Sequence, residues 1–210
     1  MGRTSDADKR LTSAALALMW EESYGAVSVD DICKRAEVKK GSFYYFFESK
    51  SVLAVAALDE MARGKRAVLD ECFSPLKAPL ERIRACCEAT YLKQVELKAA
   101  HGKVLGCPLC SVGAEICNQD ALICAKIREI MAMFAGYWET AIRDAQREGL
   151  IAAGDAAAKA RCVLAYYEGL LAQARLHNDV EILKDLAAQI LAHLHVRTPA
   201  TKTDAEALVR

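Results

Sequence analysis

Apolar residues recur every three or four positions along almost the whole chain, and sustained alternation is missing. Leu11, Ala15, Leu18 and Met19 form one stripe, Leu80, Ile83, Cys87, Tyr91 and Leu92 a second, and Ile127, Ile130, Met131, Phe134 and Trp138 a third. This period predicts amphipathic helices and leaves no strand pattern. The stripes are separated by helix-breaking punctuation at Gly25, at Lys39 to Gly41, at "SPLKAP" from Ser74, at Gly106 with Pro108, at Gly149 and at "HND" from His177. The expectation is an all-α protein of about nine helices.

The first fifty residues carry the most specific pattern. Ser28, followed three positions later by Asp31, is a capping box that starts a short helix ending near Ala36 and Glu37. Val38 to Lys40 make a tight turn, "GSFYYFF" a second short helix, and Ser49 caps a long one reaching about Leu69. Two short helices joined this way form a helix-turn-helix, whose second helix enters the DNA major groove.

Charge changes the picture here. Lys39, Lys40 and Lys50 stand at helix starts, where a cation opposes the helix dipole by roughly 0.3–1 kcal/mol. An anionic partner removes the conflict, and phosphate oxygens suit both the lysines and the free N–H groups beside Gly41 and Ser42. Tyr44 and Tyr45 offer hydroxyls for phosphate or base edges, whereas Phe43 and Phe47 are expected to face inward.

The stretch "VSVDDICKRAEVKKGSFYYFFESKSVL" closely resembles the DNA-binding domain of the TetR family of repressors over roughly residues 8 to 58. Ser28, Gly41, Ser42, Tyr44, Phe47, Ser49, Lys50 and Leu53 fall on the family pattern, while Glu37 replaces a usual turn glycine and Phe46 a frequent His or Tyr. The resemblance implies that Ser28, Tyr44 and Lys50 meet phosphates and that Lys39, Lys40, Ser42 and Tyr45 read bases. It also implies a homodimer whose recognition helices lie about 34–36 Å apart on a near-palindromic double-stranded operator. The expected domains are a helix-turn-helix unit over 1–52, a helical sensing and dimerisation domain over 53–196, and a polar tail over 197–210.

In the second domain, helices from Asp155 to His177 and from Asp179 to His195 carry stripes wide enough for a core and a partner. Tyr91, Met131, Phe134, Tyr137, Trp138 and Tyr167, with His101 nearby, are candidates to surround a small-molecule cavity, against the alternative of ordinary core packing.

Composition narrows the setting. Among 210 residues, 28 Lys and Arg balance 28 Asp and Glu, so any nucleic-acid surface is local. No apolar run approaches ~18 residues and the opening "MGRTSDADKR" lacks a signal-peptide core, so a cytoplasmic protein away from membranes is expected. The nine cysteines then read as free thiols.

"LGCPLCS" makes Cys107 an N-cap and Pro108 the first helical residue, which favours a thiolate with lowered pKa at Cys107 and a resolving thiol at Cys110. Cys110, Cys117 and Cys124 recur every seven residues and predict one stripe on one helix, faced by Cys86 and Cys87. Cys33, Cys72 and Cys162 read as small buried hydrophobes. A single CxxC matches zinc weakly, so no metal or cofactor is expected. A thiol oxidoreductase using Cys107 and Cys110 would need βαβ units, and no enzyme is expected. Within the TetR family this segment resembles sensors of electrophiles and oxidants, with Cys107 and Cys117 on their cysteines. A Gly-Cys-Pro segment also occurs in members that bind ligands reversibly. The effector, small molecule or electrophile, is open at this level.

Overall fold

The computed structural model describes residues 6–196; the expected tail lies outside them. Nine α-helices form among the described residues: α1 Ala7–Glu21, α2 Val29–Ala36, α3 Lys40–Phe46, α4 Lys50–Cys72, α5 Pro79–His101, α6 Pro108–Ile116, α7 Ala121–Arg147, α8 Ala156–His177 and α9 Leu186–His193. No described helix is long and apolar enough to cross a membrane.

Local chemistry sets most of the boundaries. Ser28 accepts from the backbone of Asp31 while the Asp31 side chain accepts from the backbone of Ser28, closing the capping box. Ser49, Asp120 and Asp155 cap α4, α7 and α8 with a side-chain oxygen alone, accepting from backbone N–H groups of the first turn. Replacing Ser28 with alanine should cost about 1 kcal/mol through the lost cap, read as a lower thermal midpoint at unchanged helix content. An unchanged midpoint would show the box to be idle.

The first three helices close over Leu11, Ile32 and Phe43, all fully buried, and α4 adds Leu53 and Leu58 to the same core. Phe47 is half-buried, at the edge of that core. Helix α4 spans 23 residues, roughly 35 Å, so its far end carries Leu69 and Cys72 into the part of the same continuous core that lies in the helical domain. There α5, α7 and α8 bury Ile83, Trp138, Ile142 and Val163. The α2–α3 turn puts Glu37 at φ 54°, a left-handed conformation that explains glycine in this place elsewhere.

Three details differ from the pattern-based reading. The last helix is interrupted: Asp179 caps a 3-10 turn over Val180–Leu183, and Asp185, at φ −99° and ψ 15°, leaves helical geometry before α9. The cysteine stripe spans two helices, because α6 ends at Ile116, Cys117 is its C-cap, and the turn before Asp120 redirects the chain so that Cys124 belongs to α7. Cys162 is exposed on the outer side of α8, while Cys33 and Cys72 are buried as expected.

Candidate DNA-reading face and effector cavity

Helix α3 presents one polar side to solvent. Phe43 is fully buried and anchors the helix, leaving Tyr45 82% and Tyr44 55% exposed, beside exposed Lys39, Lys40 and Gly41 and half-buried Ser42. The Tyr44 ring stands edge-on to Phe43, and that of Tyr45 edge-on to Phe46 at 4.9 Å. Lys40 is paired with Asp30 of α2 at 2.9 Å, a solvent-facing contact that a phosphate can replace. A Cβ at Gly41 would meet no protein atom, so nothing inside the fold requires glycine there.

Two of the expected contact residues are already engaged. The Ser28 hydroxyl donates to Asp31 Oδ2 at 2.5 Å within the capping box. Lys50 turns inward: its ammonium donates to the carbonyls of Tyr24 at 2.8 Å and Val27 at 2.9 Å and sits over the Tyr24 ring. Burial lowers the pKa of Lys50. The cation that would oppose the α4 dipole is thus satisfied by the α1–α2 loop.

A cavity of about 390 Å³ lies in the helical domain. Of the expected aromatics, Phe134, Trp138 and Tyr167 line it, as does Cys107; Trp20, Thr90, Gln94 and Glu168 join them. Tyr91 donates instead to Glu181, Tyr137 donates to Asp70 outside this cavity, Met131 is not in its wall, and His101 lies 3.4 Å from Glu21. Gln94 clasps Gly106 in both directions, its Nε2 donating to the carbonyl at 3.1 Å and its Oε1 accepting from the N–H at 3.0 Å. Gly106 has φ 67°, and a Cβ there would come within 3.3 Å of the Leu171 carbonyl, so glycine is required. The hydroxyls of Thr90 and Tyr167 bond at 2.6 Å.

The sequence carried a faint sign of these polar wall residues. Thr90 and Gln94 sit four apart in the stripe of α5, and Glu168 directly follows Tyr167 of the α8 stripe. Nothing local to Trp20 on α1 marks it as a cavity residue.

Cys107 does cap α6 and Pro108 does open it, but the thiol is not acidified. A hydrogen bond with Cys110, burial and the negative charge of Glu168 all push its pKa well up. Glu168 is itself raised by burial, against hydrogen bonds from Cys110 and Cys107 and the charge of Lys65. Cys117 lies at the opposite end of α6, hydrogen-bonded with Cys124, and burial raises it too. Desolvation likewise pushes Cys86 up to about 12.

Helix α6 connects the two regions. One end carries Cys107 at the cavity; toward the other, the Glu115 carboxylate accepts from the N–H groups of Tyr24 at 3.0 Å and Gly25 at 2.6 Å, in the loop before α2. Beside it, Ser51 of α4 donates to Asp120 at 2.5 Å and bonds the Tyr24 hydroxyl at 3.2 Å.

A helix-turn-helix with an exposed second helix, joined to a helical domain, defines a DNA-binding regulator of transcription. Family models agree: "Bacterial regulatory proteins, tetR family" matches residues 11–57, and "Tetracyclin repressor-like, C-terminal domain" matches residues 79–190. The chain belongs to the TetR family of transcriptional regulators. It is similar to the transcriptional regulator AcuR of Cereibacter sphaeroides, 28% identical over 91% of this chain and 87% of that one. It is also similar to the HTH-type transcriptional repressor NemR of Escherichia coli K12, 23% identical over 88% of this chain and 92% of that one. The crystal structure of a regulatory protein TetR from Rhodobacter sphaeroides superposes with a TM-score of 0.80 at 28% identity, covering 90% of this chain and 99% of that one.

Proposed function

We propose that this protein is a cytoplasmic homodimeric repressor that holds a near-palindromic operator and releases it when a small molecule occupies the cavity. The observation that carries the DNA part is the exposed side of α3, where Tyr44 and Tyr45 stand in solvent with Lys39 and Lys40 around a glycine the fold does not need. Large aromatics held out of a core by one buried anchor, among cations, suit a polyanion with readable edges. A homodimer is supported by the outer side of α8, where Cys162, Ala165, Gly169, Ala172 and Leu176 are exposed in one stripe and Leu176 is 77% open to solvent.

An effector is supported by the mostly apolar cavity, and its coupling to DNA by α6. A ligand that displaces the Cys107 end moves Glu115, and with it the loop that positions α2 and α3. The effector must favour the released arrangement, since equal affinity for both shifts nothing. No catalytic step belongs to this reading. Triggering by covalent modification of Cys107 has less support, because its raised pKa leaves little thiolate to attack an electrophile.

The test is to select binding duplexes from random DNA with the wild-type protein and measure their affinity by fluorescence anisotropy. Lys39→Ala combined with Tyr45→Ala should weaken binding by at least about tenfold at unchanged circular dichroism. Undiminished binding would remove α3 as the reading helix.

A further inference from the structure

Cys107 and Glu168 of the cavity wall form, together with Cys110, a cluster that neither the DNA-reading face nor an apolar effector uses. The sulfurs of Cys107 and Cys110 and a carboxylate oxygen of Glu168 all lie within 4.8 Å of one another. We propose that these three side chains form a binding site for one thiophilic divalent cation of the zinc and cadmium type, with its fourth coordination position open to the cavity.

Geometry supports the assignment first. A tetrahedral ion with sulfur ligands at about 2.3 Å and oxygen at about 2.1 Å needs donors roughly 3.5–3.8 Å apart, a small closure of the observed cluster. Cys107 is the N-cap of α6 and Cys110 lies within its first turn, and the Cys107 sulfur accepts from the backbone N–H of Cys110, a contact that favours its thiolate once a cation is present. Glu168 comes from α8, and this is why a single CxxC looked too weak in the sequence: the third donor is on another helix.

An independent sign comes from Glu168 itself. Its Oε2 is buried and has no hydrogen-bond partner, a condition shared among the described residues only with Glu21 Oε1. Glu21 has Arg35 and His101 within ion-pair distance, whereas no ion pair to Glu168 forms among the described residues. Cys107 and Cys110 hydrogen-bond with this carboxyl group, but its dry oxygen is costly in the ionised form unless something supplies positive charge.

Charge balance follows. Three acidic groups packed together repel one another's ionised forms, and a dication between them reverses this. Coordination replaces two S–H bonds with two sulfur–metal bonds and sends both protons to solvent; a protonated Glu168 releases a third. Two thiolates and one carboxylate leave the filled site at one net negative charge. Lys65 of α4, which lines the same cavity and acts on Glu168, offsets it. Two sulfurs and one oxygen favour zinc or cadmium over magnesium or calcium, which take oxygen donors. Because Cys107 and Glu168 line the cavity, the open position faces a space large enough for water or a small ligand.

The test uses the full chain, reduced and freed of metal, titrated with Cd²⁺ while the ultraviolet thiolate-to-cadmium band is followed, and with Zn²⁺ against a chromophoric chelator. One ion per chain with the band of two thiolates is expected. Cys107→Ser and Cys110→Ser should each halve the band, and Glu168→Gln should keep it while weakening Zn²⁺ by at least about tenfold, the scale on which even outer-shell partners act. The paired change Cys117→Ser with Cys162→Ser should leave band and affinity unchanged. Thermal melting of each variant identifies any that fail to fold; Glu168→Gln keeps the shape of the side chain and carries the test if a cysteine variant is lost. Absence of a two-thiolate band, a full band in Cys110→Ser, or wild-type Zn²⁺ affinity in Glu168→Gln would each overturn the site. No readout involves DNA, so failure here leaves the repressor reading standing.

Discussion

Replacing Trp138 with alanine should lower the free energy of unfolding by about 3–5 kcal/mol. The indole is 2% exposed in the middle of α7, with its ring centre 5.4 Å from that of Phe73 and 5.6 Å from that of Tyr167, both in edge-to-face orientation. Each such pair contributes about 0.5–1.5 kcal/mol beyond simple burial. Trp138 also walls the cavity, so its removal enlarges an existing space lined from α1, α4, α5, α6, α7 and α8, and the surroundings gain little by collapsing. Urea unfolding should show a lower midpoint at an unchanged slope. A loss below about 1 kcal/mol would mean that the wall closes over the gap.

Arg82→Ala should cost about 2–3 kcal/mol, because it removes one of the two counter-charges of a largely buried carboxylate and leaves two carbonyls without their donor. The Arg82 side chain is 8% exposed and that of Asp144 16%, and they meet at 2.6 Å. Arg82 also donates to the carbonyls of Lys77 at 2.8 Å and Pro75 at 3.2 Å, tying the α4–α5 turn to α7. Arg147 still reaches Asp144 from the solvent side, which limits the loss.

The same pair predicts a pH dependence. Burial raises the pKa of Asp144, but its hydrogen bonds with Arg147 and Arg82 outweigh that, and the net value lies below 3.8. A carboxyl depressed in the folded state contributes its full stability above the unfolded value and loses it as pH falls through the folded one. The stability gap between wild type and Arg82→Ala should therefore stay level from neutral pH down to the unfolded value and narrow below it. A gap that widens in acid would contradict the sign of this linkage.

Local signals were enough for much of the fold. Ser28 and Asp155 mark helix starts because a cap satisfies an N–H group three residues on, and Pro108 because it has no N–H to satisfy; such chemistry needs no tertiary contact. The candidate site was only partly legible for the opposite reason. Lys50 looked like a free cation at a helix start, yet its direction is set by carbonyls of a loop more than twenty residues earlier. The seven-residue recurrence of Cys110, Cys117 and Cys124 presupposed an unbroken helix, and the turn after Cys117 breaks it. Tyr91 and Tyr167 were equal candidates by period; only packing sends one to the surface and the other into the cavity. Glu168 acquires its chemistry from two sulfurs on another helix, a relation no window of sequence contains.

The inward turn of Lys50 bears on the search for a site along DNA. By tying α4 to the carbonyls of Tyr24 and Val27, it completes the reading domain from within, with α3 already seated on Phe43 before any nucleic acid arrives. An encounter then loses little entropy to ordering of the protein, and its success depends on orientation and surface charge. With a chain of zero formal net charge, long-range attraction to DNA is weak, so under the proposed reading discrimination would rest on how long α3 stays in the groove rather than on how fast it gets there.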